Sequence, residues 1–291
     1  MMSNEHLFCF GMGYSARAFA RRCLDRGWRV TGTSRSAEGV ARIQEANAHG
    51  FLFDGREASN DLAERLSLAT HVLVSAGPDS DGDPVLRCCT DLLREASLIQ
   101  WVGYLSTVGV YGDHGGEWVD EETQVRPKSE RGVRRVAAEN AWLEFASDYR
   151  WPLQVFRLAG IYGPGRSAVD KLRAGTARRL VKPGQVFNRI HVDDIANVLV
   201  AGVEHLGEAG LFNVTDNEPA PPQDVVAYAA QLMGLPIPPD LPFETADLSP
   251  MARSFYSENK RCRNNRIRSA LGVEFDYPTY REGLAALVAQ T

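Results

Sequence analysis

Lysine is scarce in this chain of 291 residues: only Lys128, Lys171, Lys182 and Lys260 occur, so arginine carries almost all of the positive charge. An excess of basic charge is also lacking. The net charge of −5 and pI near 5.7 argue against nucleic acid as a partner. No run approaches the ~18 apolar residues of a membrane span, and the first residues lack the apolar centre of a secretion signal, so no membrane partner is expected. The five cysteines contain no C-x-x-C pair. Cys88 and Cys89 are adjacent on a predicted helix and Cys9 lies in an apolar run, a pattern that suits neither a zinc site nor a disulfide framework. Reduced, buried thiols and a cytoplasmic location are the expectation. Internal repeats and low-complexity stretches are absent as well.

What is present is an ordinary globular balance, 44% hydrophobic and 24% charged, which directs attention to local patterns. The richest lies at the N-terminus. His6–Phe10 is a short apolar run fit for a buried strand. Gly11-Met12-Gly13-Tyr14-Ser15-Ala16 then reads G-x-G-x-x-A. Gly11 permits the tight turn, Gly13 lets a pyrophosphate approach backbone N–H groups, and Ala16 is small enough for helix–strand packing. A helix carrying Ala16, Phe19, Ala20, Cys23 and Leu24 on one face runs up to Gly27, and its positive N-terminal end suits a phosphate. The second strand ends in Thr33-Ser34-Arg35, with no carboxylate before Glu38. A carboxylate there would hold the ribose 2′-hydroxyl of NAD. A guanidinium and two hydroxyls suit the 2′-phosphate of NADP instead, so NADP is favoured over NAD.

Strand and helix signals continue to alternate. Strands are predicted over 51–54, 71–76, 99–106 and 153–158, and helices over 61–68, 83–97 and 130–149. This alternation implies an α/β protein, a Rossmann-type doubly wound parallel sheet with helices on both faces. Proline-marked loops at 219–222 and 236–242 interrupt a less regular C-terminal third. Residues 1–160 are therefore expected to form the dinucleotide-binding domain, with a strand from 187–191 joining the sheet and contributions from about 185–215. Residues 161–291 are expected to form a smaller, interleaved substrate domain. The strand ends at Asp54 and at Ala76-Gly77 would complete a cofactor wall begun by Gly11, Gly13, Tyr14, Ser15, Ala16, Ser34 and Arg35.

Several further segments extend this picture. Leu105-Ser106-Thr107-Val108-Gly109-Val110-Tyr111-Gly112 follows the fifth strand, and Arg157-Leu158-Ala159-Gly160-Ile161-Tyr162-Gly163-Pro164-Gly165 follows the sixth. Arg189-Ile190-His191-Val192-Asp193-Asp194, Asn259-Lys260-Arg261 and Tyr277-Pro278-Thr279-Tyr280-Arg281-Glu282-Gly283 come later. In this order they resemble the extended branch of the short-chain dehydrogenase/reductase superfamily, the NAD-dependent epimerase/dehydratase type. The resemblance covers essentially the whole chain. It implies a nicotinamide cofactor, a cleft for a small polar substrate such as a phosphorylated or nucleotide-linked sugar, and a homodimer as one assembly.

One departure stands out. The catalytic Tyr-x-x-x-Lys of that superfamily opens the long helix after the fifth strand, ahead of an A-A-E stretch. Here the helix reads Arg131-Gly132-Val133-Arg134-Arg135-Val136-Ala137-Ala138-Glu139, which puts Arg131 at the tyrosine position and Arg135 at the lysine position. Arginine stays protonated at neutral pH and cannot shuttle a proton. Arg135 could still donate to a ribose. Thr107 falls at the family's Ser/Thr position, where it would hold a substrate oxygen or cap the strand end. Tyr111 and Tyr162 are candidate replacement acids, or packing residues. Tyr256-Ser257-Glu258-Asn259-Lys260 fits Tyr-x-x-x-Lys but lies far from that helix. Asp83 before Pro84 reads as a helix N-cap.

His191, Asp193 and Asp194 superficially suggest a metal site, yet Asp193 precedes an apolar helical run and reads as its N-cap, so no metal is expected. Arg166, Lys171, Arg173, Arg178, Arg179, Lys182 and Arg189 oppose only Asp170, which suits either an anionic substrate or a solvated face. Two functions follow. One is an NADP-dependent oxidoreductase, epimerase or dehydratase. The other is a catalytically silent NADP(H)-sensing protein.

Overall fold

A computed structural model describes residues 4–290. His6–Phe10 (β1), Tyr14–Asp25 (α1), Arg29–Ser34 (β2), Ala37–Glu45 (α2), His49–Leu52 (β3), Asn60–Ser67 (α3), His71–Val74 (β4), Pro84–Glu95 (α4) and Trp101–Thr107 (β5) alternate in sequence. A 3-10 turn at Val108–Tyr111, Trp118–Val119 (β6), Glu130–Tyr149 (α5) and Leu153–Leu158 (β7) follow. The remaining elements are shorter. They are Gly160–Tyr162 (β8), Ala168–Arg173 (α6), Arg179–Val181 (β9), Arg189–His191 (β10), Val192–Glu204 (α7) and Gly210–Val214 (β11). Pro222–Leu232 (α8), Asp240–Pro242 (β12), Pro250–Phe255 (α9), Arg261–Cys262 (β13), Asn265–Leu271 (α10) and Tyr280–Ala289 (α11) complete the chain.

Seven strands pair in parallel in the order β11-β7-β5-β4-β1-β2-β3. This is the doubly wound α/β architecture expected from the alternation. The chain reverses direction across the sheet between β1 and β4, so a crevice opens at their carboxyl ends. Each central strand buries both faces, because successive side chains point to opposite sides. Leu7, Cys9, Leu73, Leu105 and Phe156 pack with α1 and α7 residues such as Phe19, Ala20, Ile195 and Leu199. Phe8, Phe10, Val72, Val74, Val102 and Val155 pack with Leu62, Leu66, Cys89, Leu93 and Trp142 on the other side. A third apolar cluster joins Tyr162, Val169, Val225, Ala229, Tyr280 and Leu284 from β8, α6, α8 and α11.

The strand expected from 187–191 does not enter this sheet. β10 pairs instead with β8 as a separate two-stranded ladder, and β11 fills the outer place beside β7. The reason lies in the side chains. Gly-Leu-Phe-Asn-Val of β11 is covered on both faces, with Phe212 and Val214 buried on one side and Asn213 on the other. Arg189 of β10 must direct its guanidinium to the carbonyls of Phe187 and Ala220. β3 begins two residues before the predicted strand, and its half-exposed pattern fits an edge position. The helix α2, absent from the sequence reading, starts at Ser36, whose hydroxyl accepts the Gly39 N–H at 3.2 Å. No helix among the described residues is long and apolar enough to cross a membrane.

Candidate functional site

The turn between β1 and α1 occupies the crevice. Gly11 has φ +81°, and a Cβ there would come within 2.9 Å of the Ala76 backbone nitrogen, so only glycine fits. Its N–H donates to the Thr33 hydroxyl at 2.8 Å, and Met12 N–H donates to the Thr33 carbonyl at 2.8 Å. The end of β2 thereby fixes the turn. Gly13 is the N-cap of α1, and a Cβ at this position would meet nothing within 4 Å. No side chain caps that helix and no acidic residue stands in its first turn. The local geometry therefore suits a dinucleotide pyrophosphate: space over Gly13, uncapped N–H groups and a positive helix end. Ser15 and Ala16 are buried beneath the turn, while Tyr14 leans outward and donates its hydroxyl to the Pro164 carbonyl at 2.9 Å. That bond ties the glycine turn to the loop after β8.

A cleft of about 540 Å³ extends from this turn along the ends of β2, β3 and β4. Gly11, Gly13, Ser34, Arg35, Asp54, Ala76 and Gly77 all line it. So do Arg17, Gly39 and Arg42, which the sequence reading did not single out. Arg17 and Arg35 are exposed, and none of the three arginines forms an ion pair among the described residues. By contrast, Asp79, which also lines the cleft, is paired with Arg87 at 2.9 Å, and that arginine also donates to the Gly55 carbonyl. Of the two hydroxyls expected beside Arg35, Thr33 is spent inside the fold on Gly11 and is 1% exposed, which leaves Ser34. Arg17 was legible as the residue one turn into α1. Arg42 required α2 to be recognised first.

Beyond Gly77 the cleft meets α5. Arg135 is half-buried, and its Nη1 donates to the Tyr104 hydroxyl and to the Leu105 carbonyl, both at 3.0 Å. A Cβ on Gly77 would lie 3.1 Å from Arg135 Nη2, so the glycine makes room for the guanidinium. Arg131, one turn earlier on α5, is exposed and makes no ion pair or hydrogen bond among the described residues. Thr107 caps the 3-10 turn: its hydroxyl accepts the Gly109 N–H at 3.1 Å, and the residue remains half-exposed at the strand end.

The two tyrosines are held elsewhere. Tyr111 is fully buried, donates to Asn213 Oδ1 at 2.7 Å and accepts from Arg157 Nη1 at 3.0 Å. Burial pushes its pKa up to about 12, against the opposing pull of Arg157. Arg157 in turn forms a buried ion pair with Glu139 at 2.8 Å, and Ser106 donates to the same carboxylate. Tyr162 is 7% exposed, packs edge-on against His191 and donates to the Thr279 carbonyl at 3.4 Å. Desolvation raises its pKa strongly. As placed, neither hydroxyl is directed at the crevice.

The remaining residues have structural partners. Asp83 caps α4, accepting from Val85 and Leu86 N–H at 3.0 and 3.1 Å, with Pro84 in the first turn. His191, rather than Asp193, is the N-cap of α7, because the helix begins at Val192 and Asp193 N–H donates back to His191 Nδ1 at 3.2 Å. Asp194 is buried and accepts from Asp276 and Tyr277 N–H at 2.7 and 3.1 Å. No cluster with metal-ligand composition occurs among the described residues. The segment rich in arginine does not present one basic face. Arg179 pairs with Asp240, Lys182 donates to the Tyr256 carbonyl and the half-buried Arg189 donates to carbonyls, while Arg166 lies over the Tyr14 ring. Lys260 is buried against Gly112 O and Glu258, and Tyr256 stacks on Phe243, so that Tyr-x-x-x-Lys match lies in the packing around β13.

A profile of the NAD dependent epimerase/dehydratase family matches residues 11–215. The chain is 51% identical to a functionally unknown conserved protein from Silicibacter pomeroyi DSS, whose structure superposes with a TM-score of 0.87, covering 98% of this chain and 99% of that one. It is 26% identical over 279 residues to Protein YeeZ of Escherichia coli (strain K12), spanning 92% of this chain and 94% of YeeZ. A stretch of 142 residues is 34% identical to a 3-diazoavenalumate denitrifying reductase from a Streptomyces species, and covers 45% of each protein.

Proposed function

The chain belongs to the NAD-dependent epimerase/dehydratase family, and from that premise we propose that it is an NADP-dependent oxidoreductase acting on a small polar substrate. One observation carries the cofactor choice: Arg17, Arg35 and Arg42 line the cleft without ion pairs, and no carboxylate stands at the end of β2. Guanidinium groups attract a 2′-phosphate, whereas a carboxylate would repel it. Gly11, Gly13 and the start of α1 would hold the pyrophosphate. Ser34 and Arg35 would read the 2′-phosphate, while Ala76 and Gly77 would lie along the ribose beyond it. A nicotinamide bound there would supply the hydride chemistry.

The chain's own contribution to the reaction is unusual for the family. With Arg131 and Arg135 where an acid and its lysine would stand, no side chain at that place can deliver a proton at neutral pH. Thr107 would orient a reacting oxygen. The reading therefore favours hydride transfer to a substrate that needs no proton from a tyrosine, which is compatible with the reductase named among its relatives. The same two arginines support the second reading, a silent NADP(H) sensor. Single-turnover oxidation of bound NADPH by a panel of hydride acceptors, both carbonyl compounds and acceptors that need no proton from the enzyme, separates them. Wild type should be slow with the carbonyl compounds, and Arg131→Tyr with Arg135→Lys should gain with them part of the roughly 10²–10⁴-fold that general acid catalysis supplies. No NADPH oxidation in either protein, by any member of the panel, would favour the sensor.

A further inference from the structure

The geometry points to Arg131 and Arg135 acting together as a two-guanidinium clamp for an oxyanion, a carboxylate or phosphate carried by the substrate. This inference rests on the NADP-dependent reading above and gives the substrate its charge. Both side chains lie on α5, four residues apart and hence on the same face of the helix. A guanidinium has five N–H donors in a planar fork. Arg135 commits Nη1 to Tyr104 and Leu105, while Nε and Nη2 have no acceptor among the described residues. The two anchoring bonds fix the plane of the fork, and Nη2 stands beside Gly77 at the edge of the cleft. Arg131 has none of its donors engaged.

The local electrostatics sharpen the point. Arg131 occupies the first turn of α5, beside the positive end of the helix dipole, where a cation is unfavourable. Glu130, the acidic residue of that turn, is engaged by Arg134 at 3.0 Å, and Glu139 by Arg157 at 2.8 Å. Asp83 exerts a field on Arg135 but forms no ion pair with it. A cation in the first turn of a helix, beside a carboxylate that another arginine already engages, breaks a local rule, and such breaches concentrate where a ligand restores the balance. An oxyanion held between two guanidinium forks, backed by the same helix end, does so.

The test uses the whole protein saturated with NADP+, after NADP+ affinity has been measured separately for each variant. Benzoate, phenyl phosphate and benzamide share a ring and differ in charge, and their binding is followed by NMR titration. At least one of the two anions should bind, and benzamide should bind at least tenfold more weakly. Preference between benzoate and phenyl phosphate tells which oxyanion the clamp takes. Arg131→Gln and Arg135→Gln should each weaken the preferred anion at least tenfold, while Arg135→Lys, which keeps the charge, should retain part of the affinity. Arg131→Gln alters an exposed side chain and leaves the fold's own hydrogen bonds intact. The inference is overturned if neither anion binds the loaded protein, if benzamide binds as well as the anions, or if Arg131→Gln changes nothing. It is also overturned if the anion merely competes with NADP+. Loss of NADP+ affinity in the wild type would instead defeat the cofactor reading.

Discussion

The Thr33 hydroxyl accepts the Gly11 N–H at 2.8 Å, so the last turn of β2 that would contact a cofactor also holds the glycine that admits it. Thr33→Val keeps the shape and removes the acceptor, leaving a buried N–H unpaired. The expected cost is about 1–3 kcal/mol. Urea denaturation checks the stability. Parallel titrations should show NADPH and NADH weakened by the same factor, because the turn serves both.

A second prediction concerns the charges beneath the site. Glu139 and Arg157 are both almost completely buried, and their ion pair is reinforced by Ser106 and Tyr111. Removing one partner leaves the other charged without a counter-ion. Glu139→Ala should therefore destabilise by roughly 3–5 kcal/mol, measured by equilibrium unfolding. A loss under about 1 kcal/mol would mean that the pair contributes little at this depth.

Tyr111→Phe separates structure from catalysis. Its hydroxyl bridges Arg157 and Asn213, so the substitution should cost about 1–3 kcal/mol in stability. NADPH oxidation per folded molecule should be unchanged. A fall of roughly 10²-fold or more, with the protein folded, would identify Tyr111 as the missing acid.

Asp216 sets a pH dependence. It is 1% exposed, its Oδ2 has no hydrogen-bond partner among the described residues, and burial pushes its pKa up to about 8 from an ordinary 3.8. The folded protein thus keeps a proton that the unfolded chain releases, so this group's contribution is greatest in acid and falls as pH rises from about 4 to 8. Asp216→Asn removes that loss. The stability of the variant relative to wild type should increase steadily across this window, by more than about 1 kcal/mol at its upper end. Thermal melts at several pH values follow the difference, and a flat difference would contradict the assignment.

Much of the fold was legible because its signals are local. His6–Phe10, Glu130–Tyr149 and Leu153–Leu158 appear as read, and the G-x-G-x-x-A turn sits where strand and helix periodicity put it. The outer strand was not legible. Arg189-Ile190-His191 and Gly210–Val214 are both short and plausible, and pairing partners far along the chain decide between them. At the site, Arg35 followed from its distance beyond the glycine turn, and Arg135 from the resemblance of its helix to the one that carries the family's Tyr-x-x-x-Lys. Arg17 could be placed from its position one turn into α1, whereas Arg42 reaches the cleft on α2, a helix the sequence pattern did not mark. Nor does spacing reveal that Tyr111 is committed to Asn213, since that bond spans 102 positions.

The most direct test of the account is the pair of dissociation constants for NADPH and NADH, measured on wild type and on Arg35→Asp at one ionic strength. Wild type should favour NADPH by at least about tenfold, or 1.4 kcal/mol. Arg35→Asp should abolish or reverse that preference while leaving NADH affinity largely intact, because the new carboxylate repels the 2′-phosphate and can accept from a 2′-hydroxyl. Equal affinities in wild type, unchanged by Arg35→Asp, would contradict it.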